Sequence, residues 1–146
     1  MKLRAKDVMT TTVVSIQADD HVDQAFALLV RHRVSGLPVL DAEGRLCGFL
    51  SELDLLRVLY NLSTCAERVR DYLSQPLFSV REDDPLTEVA ETFLSHPVQR
   101  LPVVNDDGQL TGVVGRHDLV RAIHQFRSSA PRHREAAGQR DTLVEA

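Results

Sequence analysis

The 146-residue sequence lacks tryptophan, holds only two cysteines and draws just 5% of its residues from the aromatic types. Two cysteines, Cys47 and Cys65, are too few for a disulfide framework or a cysteine-based zinc site. So few aromatic residues, with no basic residues interleaved among them, disfavour a surface on which nucleic-acid bases stack. The net charge of −4 also argues against a basic protein that coats nucleic acid. We therefore expect no nucleic-acid partner, and a reducing compartment.

Long apolar runs are also absent. No stretch approaches the roughly 18 consecutive apolar residues of a membrane-spanning helix. The basic N-terminal segment is not followed by an apolar run of signal-peptide length. We expect a cytoplasmic protein without membrane insertion. Because 43% of the residues are hydrophobic and 26% are charged, the chain can bury a globular core.

The motifs of common catalytic sites are missing as well. The sequence has no His-x-x-x-His or Cys-x-x-Cys spacing for a metal, no Gly-x-Ser-x-Gly nucleophile elbow and no Gly-x-x-x-x-Gly-Lys phosphate loop. His32 and His96 fall near predicted helix ends, where histidine complements the helix dipole. We therefore expect no metal site, no catalytic residues and no required cofactor.

What the sequence does contain is an internal repeat. A shift of 64 residues, without a gap, aligns Leu37-Pro38-Val39 with Leu101-Pro102-Val103 and the stretch GFLSELD at 48–54 with GVVGRHD at 112–118. Similarity that holds one register over so long a stretch indicates two copies of one supersecondary unit. We assign residues 5–62 to the first copy, 63–68 to a linker, 69–126 to the second copy and 127–146 to a flexible polar tail.

Each copy has the pattern of a β-α-β-β-α unit. In the first copy we expect a strand over 13–16, a hairpin with strands at 37–40 and 46–50, and a last helix over about 51–60. Between the first strand and the hairpin, Asp20 is expected to cap a helix with Val22, Ala25, Phe26 and Leu29 on one face. In the second copy Asp84 is the expected cap, Pro85 takes the first helical position, and the last helix covers about 115–126.

The GFLSELD element allows two interpretations. Ser51 and Asp54 have the spacing of a capping box, in which case the element only starts a helix. Alternatively, a carboxylate held at a helix start can accept both hydroxyls of a ribose, as the acidic residue of dinucleotide-binding folds does. The first copy alone supports the two interpretations equally, and Asp118 is the counterpart of Asp54 in the second copy.

The second copy replaces the capping serine by Gly115 and places Arg116 and His117 in the first helical turn. Basic residues are unfavourable there, because the positive end of the helix dipole favours acids. The arrangement favours an anion such as phosphate at the helix start, although both side chains could instead extend into solvent.

Phosphate and ribose together indicate a nucleotide, whose base needs an apolar slot. Residues that could line two such slots are Val13, Leu37 and Pro38 in the first copy, and Leu77, Leu101 and Pro102 in the second. Because both prolines lack an N–H group, we expect each of them at a strand start or a sheet edge.

With these features the chain resembles a tandem pair of CBS domains, the small regulatory modules named after cystathionine β-synthase. The residues that carry the resemblance are Asp7-Val8-Met9, Val34-Ser35-Gly36-Leu37-Pro38-Val39-Leu40-Asp41 and the element at 48–54, with their counterparts 64 residues later. The resemblance covers both copies, nearly all of residues 5–126. The resemblance implies an α+β fold in which two β-α-β-β-α repeats pack sheet to sheet about a pseudo-two-fold axis, with clefts between them.

The resemblance also implies a ligand, since adenosine-type molecules such as AMP, ADP, ATP or S-adenosylmethionine are usual for CBS pairs. By their place in the family motifs, Ser51 and Asp54 would contact phosphate or ribose. The residues that would touch the base are Thr12, Val13, Ser35, Gly36, Leu37 and Pro38.

The second copy departs from the motif at Gly115, which supplies no hydroxyl. Asp118 is retained, and Arg100, Arg116 and His117 could supply compensating charge. We therefore expect an asymmetric pair, with one competent site and one altered or empty site.

The function that the resemblance implies is that of a ligand sensor without catalytic activity. It would act through a homodimer, which CBS pairs form as discs, or through contacts with a regulated protein. The alternative is a structural or interaction module whose clefts have lost their ligand, which the change to Gly115 motivates. A hydrolase is least supported, because no acid, base and nucleophile occur together.

Overall fold

The computed structural model describes residues 1–61, 67–73 and 76–129. The first repeat consists of α1 (Ala5–Val8), β1 (Ile16–Gln17), α2 (Val22–His32), β2 (Gly36–Leu40), β3 (Leu46–Ser51), α3 (Glu52–Leu56) and a 3-10 helix (Arg57–Asn61). The second consists of a 3-10 helix (Val69–Tyr72), β4 (Val80–Arg81), α4 (Leu86–Ser95), β5 (Arg100–Val104), β6 (Leu110–Gly115) and α5 (Arg116–Ser129).

Two three-stranded sheets have the same topology, with orders β1-β2-β3 and β4-β5-β6. In each sheet the first pair is parallel and the second antiparallel, as the predicted β-α-β-β-α unit requires. The registers also repeat: Ile16 pairs with Val39, and Val80 pairs with Val103. The hairpin turns repeat as well, because Gly44 and Gly108 both have φ near +80°, which an L side chain rarely adopts.

Several predicted boundaries were wrong. The first strand begins at Ile16 rather than residue 13, and α5 continues to Ser129, past the predicted end at 126. The first repeat's last helix is α-helical only to Leu56 and then becomes a 3-10 helix through Asn61. The remainder of the predicted tail and most of the predicted linker, including Cys65, lie outside the described residues.

The predicted helix caps were also wrong. The Asp20 carboxylate accepts a hydrogen bond from the Gln17 N–H at 3.0 Å and so closes the turn before the helix. The cap of α2 is His21, whose Nδ1 accepts from the Asp23 N–H at 3.1 Å. Asp84 makes the equivalent turn bond, and Pro85 is the N-cap of α4 rather than its first residue. An aspartate just before a helix can either cap that helix or close the turn that precedes it. Here the aspartates close the turn.

Each sheet has one face against its own helices and one face toward the other repeat. Leu37, Val39 and Leu50 are fully buried in the first core. Because side chains alternate along a strand, Pro38 and Phe49 point to the opposite face. Pro38 lies inside β2, not at its start, but β1 pairs only with Val39 and Leu40. Pro38 therefore has a paired strand on one side only, which suits a residue without an N–H group.

The two units exchange their first segments. Ala5 of α1 is fully buried in the core of the second repeat, and Met9 packs there too. Val69 and Tyr72 of the equivalent 3-10 helix are buried in the core of the first repeat. Gly48 and Gly112 make room for this exchange: a Cβ at position 48 would lie 2.7 Å from Leu73 Cδ1.

Polar contacts hold the exchanged segments at equivalent positions. Lys6 pairs with Asp83 at 2.8 Å, and Arg70 pairs with Asp19. The hydrogen bond and charge of the partner raise the pKa of Lys6 and lower the pKa of Asp83. A β-bridge joins Arg45 to Gln109, each the counterpart of the other, so it lies on the pseudo-two-fold axis that relates the repeats.

Candidate functional site

Two clefts lie between the repeats, and each takes residues from both. Cleft A has a volume of about 80 Å³ and is lined by Thr10, Thr12, Val13, Val14, Val34, Gly36, Pro38, Phe49, Arg100 and Val113. Cleft B has a volume of about 470 Å³ and is lined by Ser35, Phe49, Ser51, Glu52, Leu53, Pro76, Leu77, Phe78, Pro97, Val98, Gln99, Arg100 and Pro102. Only cleft B falls in the range of about 300–1,000 Å³ that is usual for small-molecule sites.

The clefts are counterparts under the repeat, but the sequence-predicted site is divided between them. Thr12, Val13, Gly36 and Pro38 lie together in cleft A. Ser51 lies in cleft B, against Leu77 and Arg100 of the other repeat. The segments before β1 and β4 run between the repeats. Cleft A therefore combines Thr12 and Val13 with Val113 of the second repeat, and cleft B combines Leu77 with Ser51 of the first. Ser51 thus lies in a different cleft from Thr12 and Val13, and the contact of all three with one ligand stays a prediction.

Two positions that line the clefts carry different side chains in the two repeats. In the first repeat the ring of Phe49 lies over Gly36, where a Cβ would clash with Phe49 Cε1. The equivalent positions in the second repeat are Val113 and Arg100. Phe49 and Arg100 line both clefts, whereas Val113 lines cleft A alone.

The capping-box interpretation of Ser51 and Asp54 is what the structure shows. Asp54 Oδ2 accepts from the Ser51 N–H and from the Ser51 hydroxyl, both at 2.8 Å, while Ser51 Oγ accepts from the Asp54 N–H at 3.2 Å. Arg57 lies 3.6 Å from the other carboxylate oxygen. Asp54 thus holds Ser51 in place at the wall of cleft B without lining the cleft itself.

The second repeat keeps half of this arrangement. Asp118 Oδ2 accepts from the Gly115 N–H at 2.7 Å, but Gly115 offers no hydroxyl in return. The Asp118 side chain is 16% exposed, whereas the Asp54 side chain is 1% exposed. Removing the serine hydroxyl therefore leaves the second carboxylate more accessible than the first.

The first helical turns differ in charge between the repeats. Glu52 lines cleft B, while its counterpart Arg116 and the neighbouring His117 are exposed and line neither cleft. The first N–H group of each helix is already used: Glu52 donates to Ser35 O at 3.0 Å, and Arg116 donates to Gln99 O at 3.3 Å. Arg100 borders both clefts.

Sequence analysis also misplaced and missed several lining residues. Leu37 and Leu101, predicted in the apolar slots, are fully buried in the two cores because they alternate with the prolines. Phe49, Phe78, Val98 and Gln99 line cleft B and were not singled out. Applying the 64-residue shift to Ser35 would have found Gln99. The sequence pattern gives no sign that Phe49 lines a cleft.

The other residues considered for chemistry have structural surroundings. Cys47 is half-buried, and burial raises the pKa of its thiol, which disfavours the nucleophilic thiolate. His32 ends α2. His96 stacks on Phe78 with ring centroids 4.1 Å apart, so it supports the wall of cleft B. Across the described parts of the chain, no three His, Cys, Asp or Glu side chains come together as a metal site.

No helix in the described ranges is long and apolar enough to cross a membrane.

Comparisons with known proteins agree with this architecture. The CBS-pair protein CBSX2 from Arabidopsis thaliana has a crystal structure with a TM-score of 0.78 at 31% identity, covering 89% of this chain and 100% of that chain. A structure of CBSX2 in complex with AMP has a TM-score of 0.76 at 33% identity, covering 85% and 98% respectively.

Among the curated relatives, inosine-5'-monophosphate dehydrogenase of Methanocaldococcus jannaschii is 27% identical over 118 residues, which are 81% of this chain. The aligned part is 23% of the enzyme, so this chain spans about a quarter of that relative. The model of the CBS domain matches residues 5–61 and 69–125, which are the two repeats described above. The chain therefore belongs to the CBS domain family, as a tandem pair of CBS domains.

Proposed function

We propose that this CBS pair is a regulatory module without catalytic activity that binds one adenosine-type nucleotide in cleft B. The observation that carries the proposal is the cleft itself, about 470 Å³ in volume and bounded by both repeats. The AMP complex of CBSX2, a protein 33% identical over 85% of this chain, supports an adenosine-type ligand. ADP, ATP and S-adenosylmethionine belong to the same chemical class.

The lining of cleft B contains both the apolar and the polar groups that such a ligand needs. Leu77, Phe78 and Val98 form an apolar wall for a planar base. Ser35, Ser51, Gln99 and Arg100 provide hydroxyl, amide and guanidinium groups for ribose and phosphate oxygens. We assign Asp54 a positioning role, because its buried carboxylate binds the Ser51 N–H and hydroxyl groups.

We assign cleft A as the altered site. Its volume of about 80 Å³ is too small for an adenosine, and the serine of the motif is replaced by Gly115 on its side of the molecule. Arg116, His117 and Asp118 lie at that helix start and line neither cleft A nor cleft B. The expected stoichiometry is one nucleotide per chain.

The position of cleft B between the two repeats provides a route by which a bound ligand could change the packing of the repeats. A ligand there contacts Ser51 of one unit and Leu77 of the other, so occupancy favours one packing of the two units. The output that we propose is a change in self-association. Apolar side chains are exposed at the same positions of both repeats, as in Leu56 with Val120 and Leu59 with Ile123, which supports a homodimer built on equivalent surfaces. A regulated partner protein and the cellular compartment stay predictions.

The experiment is a thermal-shift screen of the protein against adenosine, AMP, ADP, ATP, S-adenosylmethionine and GTP, followed by calorimetry. A ligand at 100 times its dissociation constant adds about 2.7 kcal/mol of stability. We expect stabilisation by adenosine-type ligands with one site per chain. Leu77→Trp, which fills cleft B, should abolish it, and Val13→Trp at the equivalent place in cleft A should not.

Three outcomes would contradict the proposal. If no ligand shifts the melting temperature, the clefts are vestigial and the chain is an interaction module. If Val13→Trp abolishes binding while Leu77→Trp leaves it intact, the site is cleft A. Steady release of a hydrolysis product by the pure protein would instead indicate an enzyme.

A further inference from the structure

We propose that Glu52 makes cleft B selective for adenosine derivatives with one phosphate or none over those with three. The inference rests on the proposed function and names the class of ligand at the same site. It rests on the charge of the residue at the first helical position, which is acidic at Glu52 and basic at its counterpart Arg116.

Cleft B holds few charges. Among its described lining residues, Glu52 carries the single negative charge and Arg100 the single positive charge. Neither side chain forms an ion pair with another described residue. One phosphate can therefore be offset by Arg100, whereas each further phosphate meets no other cation on the lining and approaches the Glu52 carboxylate.

Two backbone N–H groups at the start of the helix are already bonded within the protein. The Glu52 N–H is bonded to Ser35 O at 3.0 Å, and the Asp54 N–H is bonded to Ser51 Oγ at 3.2 Å. The helix they begin, α3, is only five residues long, so its dipole adds little. The lining side chains therefore set the charge that a phosphate chain meets.

The second repeat shows that the fold does not require an acid here. Arg116 occupies the position equivalent to Glu52 and starts a helix of 14 residues. The fold therefore accepts a basic residue at the equivalent position of the second repeat. The acid at position 52 already has an acidic companion in the first turn, Asp54, so capping alone does not account for it.

The expected size of the effect follows from Coulomb's law. Two like charges about 5 Å apart in a solvent-exposed site repel by about 1 kcal/mol, which corresponds to about a five-fold change in affinity for each added phosphate charge. Because ATP carries two more phosphates than AMP, we expect AMP to bind at least about ten-fold more tightly than ATP.

The experiment measures dissociation constants for adenosine, AMP and ATP by calorimetry, without magnesium, on the full chain and on E52Q and E52R. The neutral E52Q should narrow the gap between AMP and ATP, and E52R should reverse it. Glu91→Arg is the matched control, because it makes the same change of net charge at an exposed position of α4 that lines neither cleft. It should keep the wild-type ratio.

The inference is overturned if the wild-type protein binds ATP as tightly as AMP, or if E52R leaves the ratio of the two constants unchanged. A shift of the ratio by Glu91→Arg equal to that of E52R would assign the effect to net charge and would overturn it too. Failure of the proposed function gives a distinct result, because neither adenosine nor AMP would then bind to the protein. Melting temperatures of each variant check that it is folded.

Discussion

At the scale of single residues, the two repeats differ most where one uses a large side chain and the other a small one. Phe49 lies over Gly36 in the first repeat, and the equivalent positions of the second repeat hold Val113 and Arg100. The two clefts to which these residues contribute have volumes of about 80 Å³ and about 470 Å³. The same contrast appears at Ser51 and Gly115, where one hydroxyl decides whether the neighbouring carboxylate is fully bonded.

The contact of Phe49 with Gly36 leads to a prediction. In Gly36→Ala the new methyl would lie 2.4 Å from Phe49 Cε1 and 3.1 Å from the Leu50 carbonyl oxygen. We expect a loss of about 1–3 kcal/mol in the free energy of unfolding, as for other overpacked sites. Urea unfolding of Gly36→Ala, Phe49→Leu and the double variant measures it. The double variant should lose less than the sum of the single ones, and strict additivity would show that the two residues do not contact each other.

At the scale of elements, the repeat and its β-α-β-β-α order are predictable from sequence, but the exchange of segments is not. The 64-residue shift stays the same whether α1 packs on its own repeat or on the other. Strand and hairpin positions follow from apolar alternation and turn residues, which are local. The grouping of Ser51 with Leu77 depends on which unit each segment joins, and that is decided by packing. The caps were mispredicted because Asp20 and Asp84 serve the preceding turn.

The exchange itself can be tested. Val69 belongs to the second repeat by sequence but is fully buried in the first core. Val69→Ala should therefore lower stability by about 2 kcal/mol and increase hydrogen exchange in β2, β3 and α2 of the first unit. The second unit should keep its protection. Mass spectrometry of peptides from both units measures where hydrogen exchange becomes faster. Faster exchange confined to β5, β6 and α5 would contradict the exchanged arrangement.

At the scale of the whole molecule, one pseudo-two-fold axis accounts for the sheets, the ion pairs of the exchanged segments and the paired clefts. An internal pseudo-two-fold axis brings equivalent positions of the two repeats to equivalent places on the surface. The exposed pairs Leu56 with Val120 and Leu59 with Ile123 follow this rule, although exposure of a large apolar side chain brings no stability to a lone module. Their repetition is understandable if both repeats present the same kind of contact to a second copy of the chain.

The homodimer is therefore the last prediction. The variant Val120→Asp/Ile123→Asp places two charges on the exposed face of α5, where burial against a partner would then leave them desolvated and unpaired. Light scattering after size-exclusion chromatography should give twice the chain mass for the wild type and the chain mass for the variant. Gln125→Asp/Ser129→Asp, at exposed positions on the opposite side of the same helix, is the control and should remain dimeric. A wild type that elutes as a monomer at all concentrations, with and without AMP, would exclude self-association as the output. A variant that stays dimeric would place the interface elsewhere.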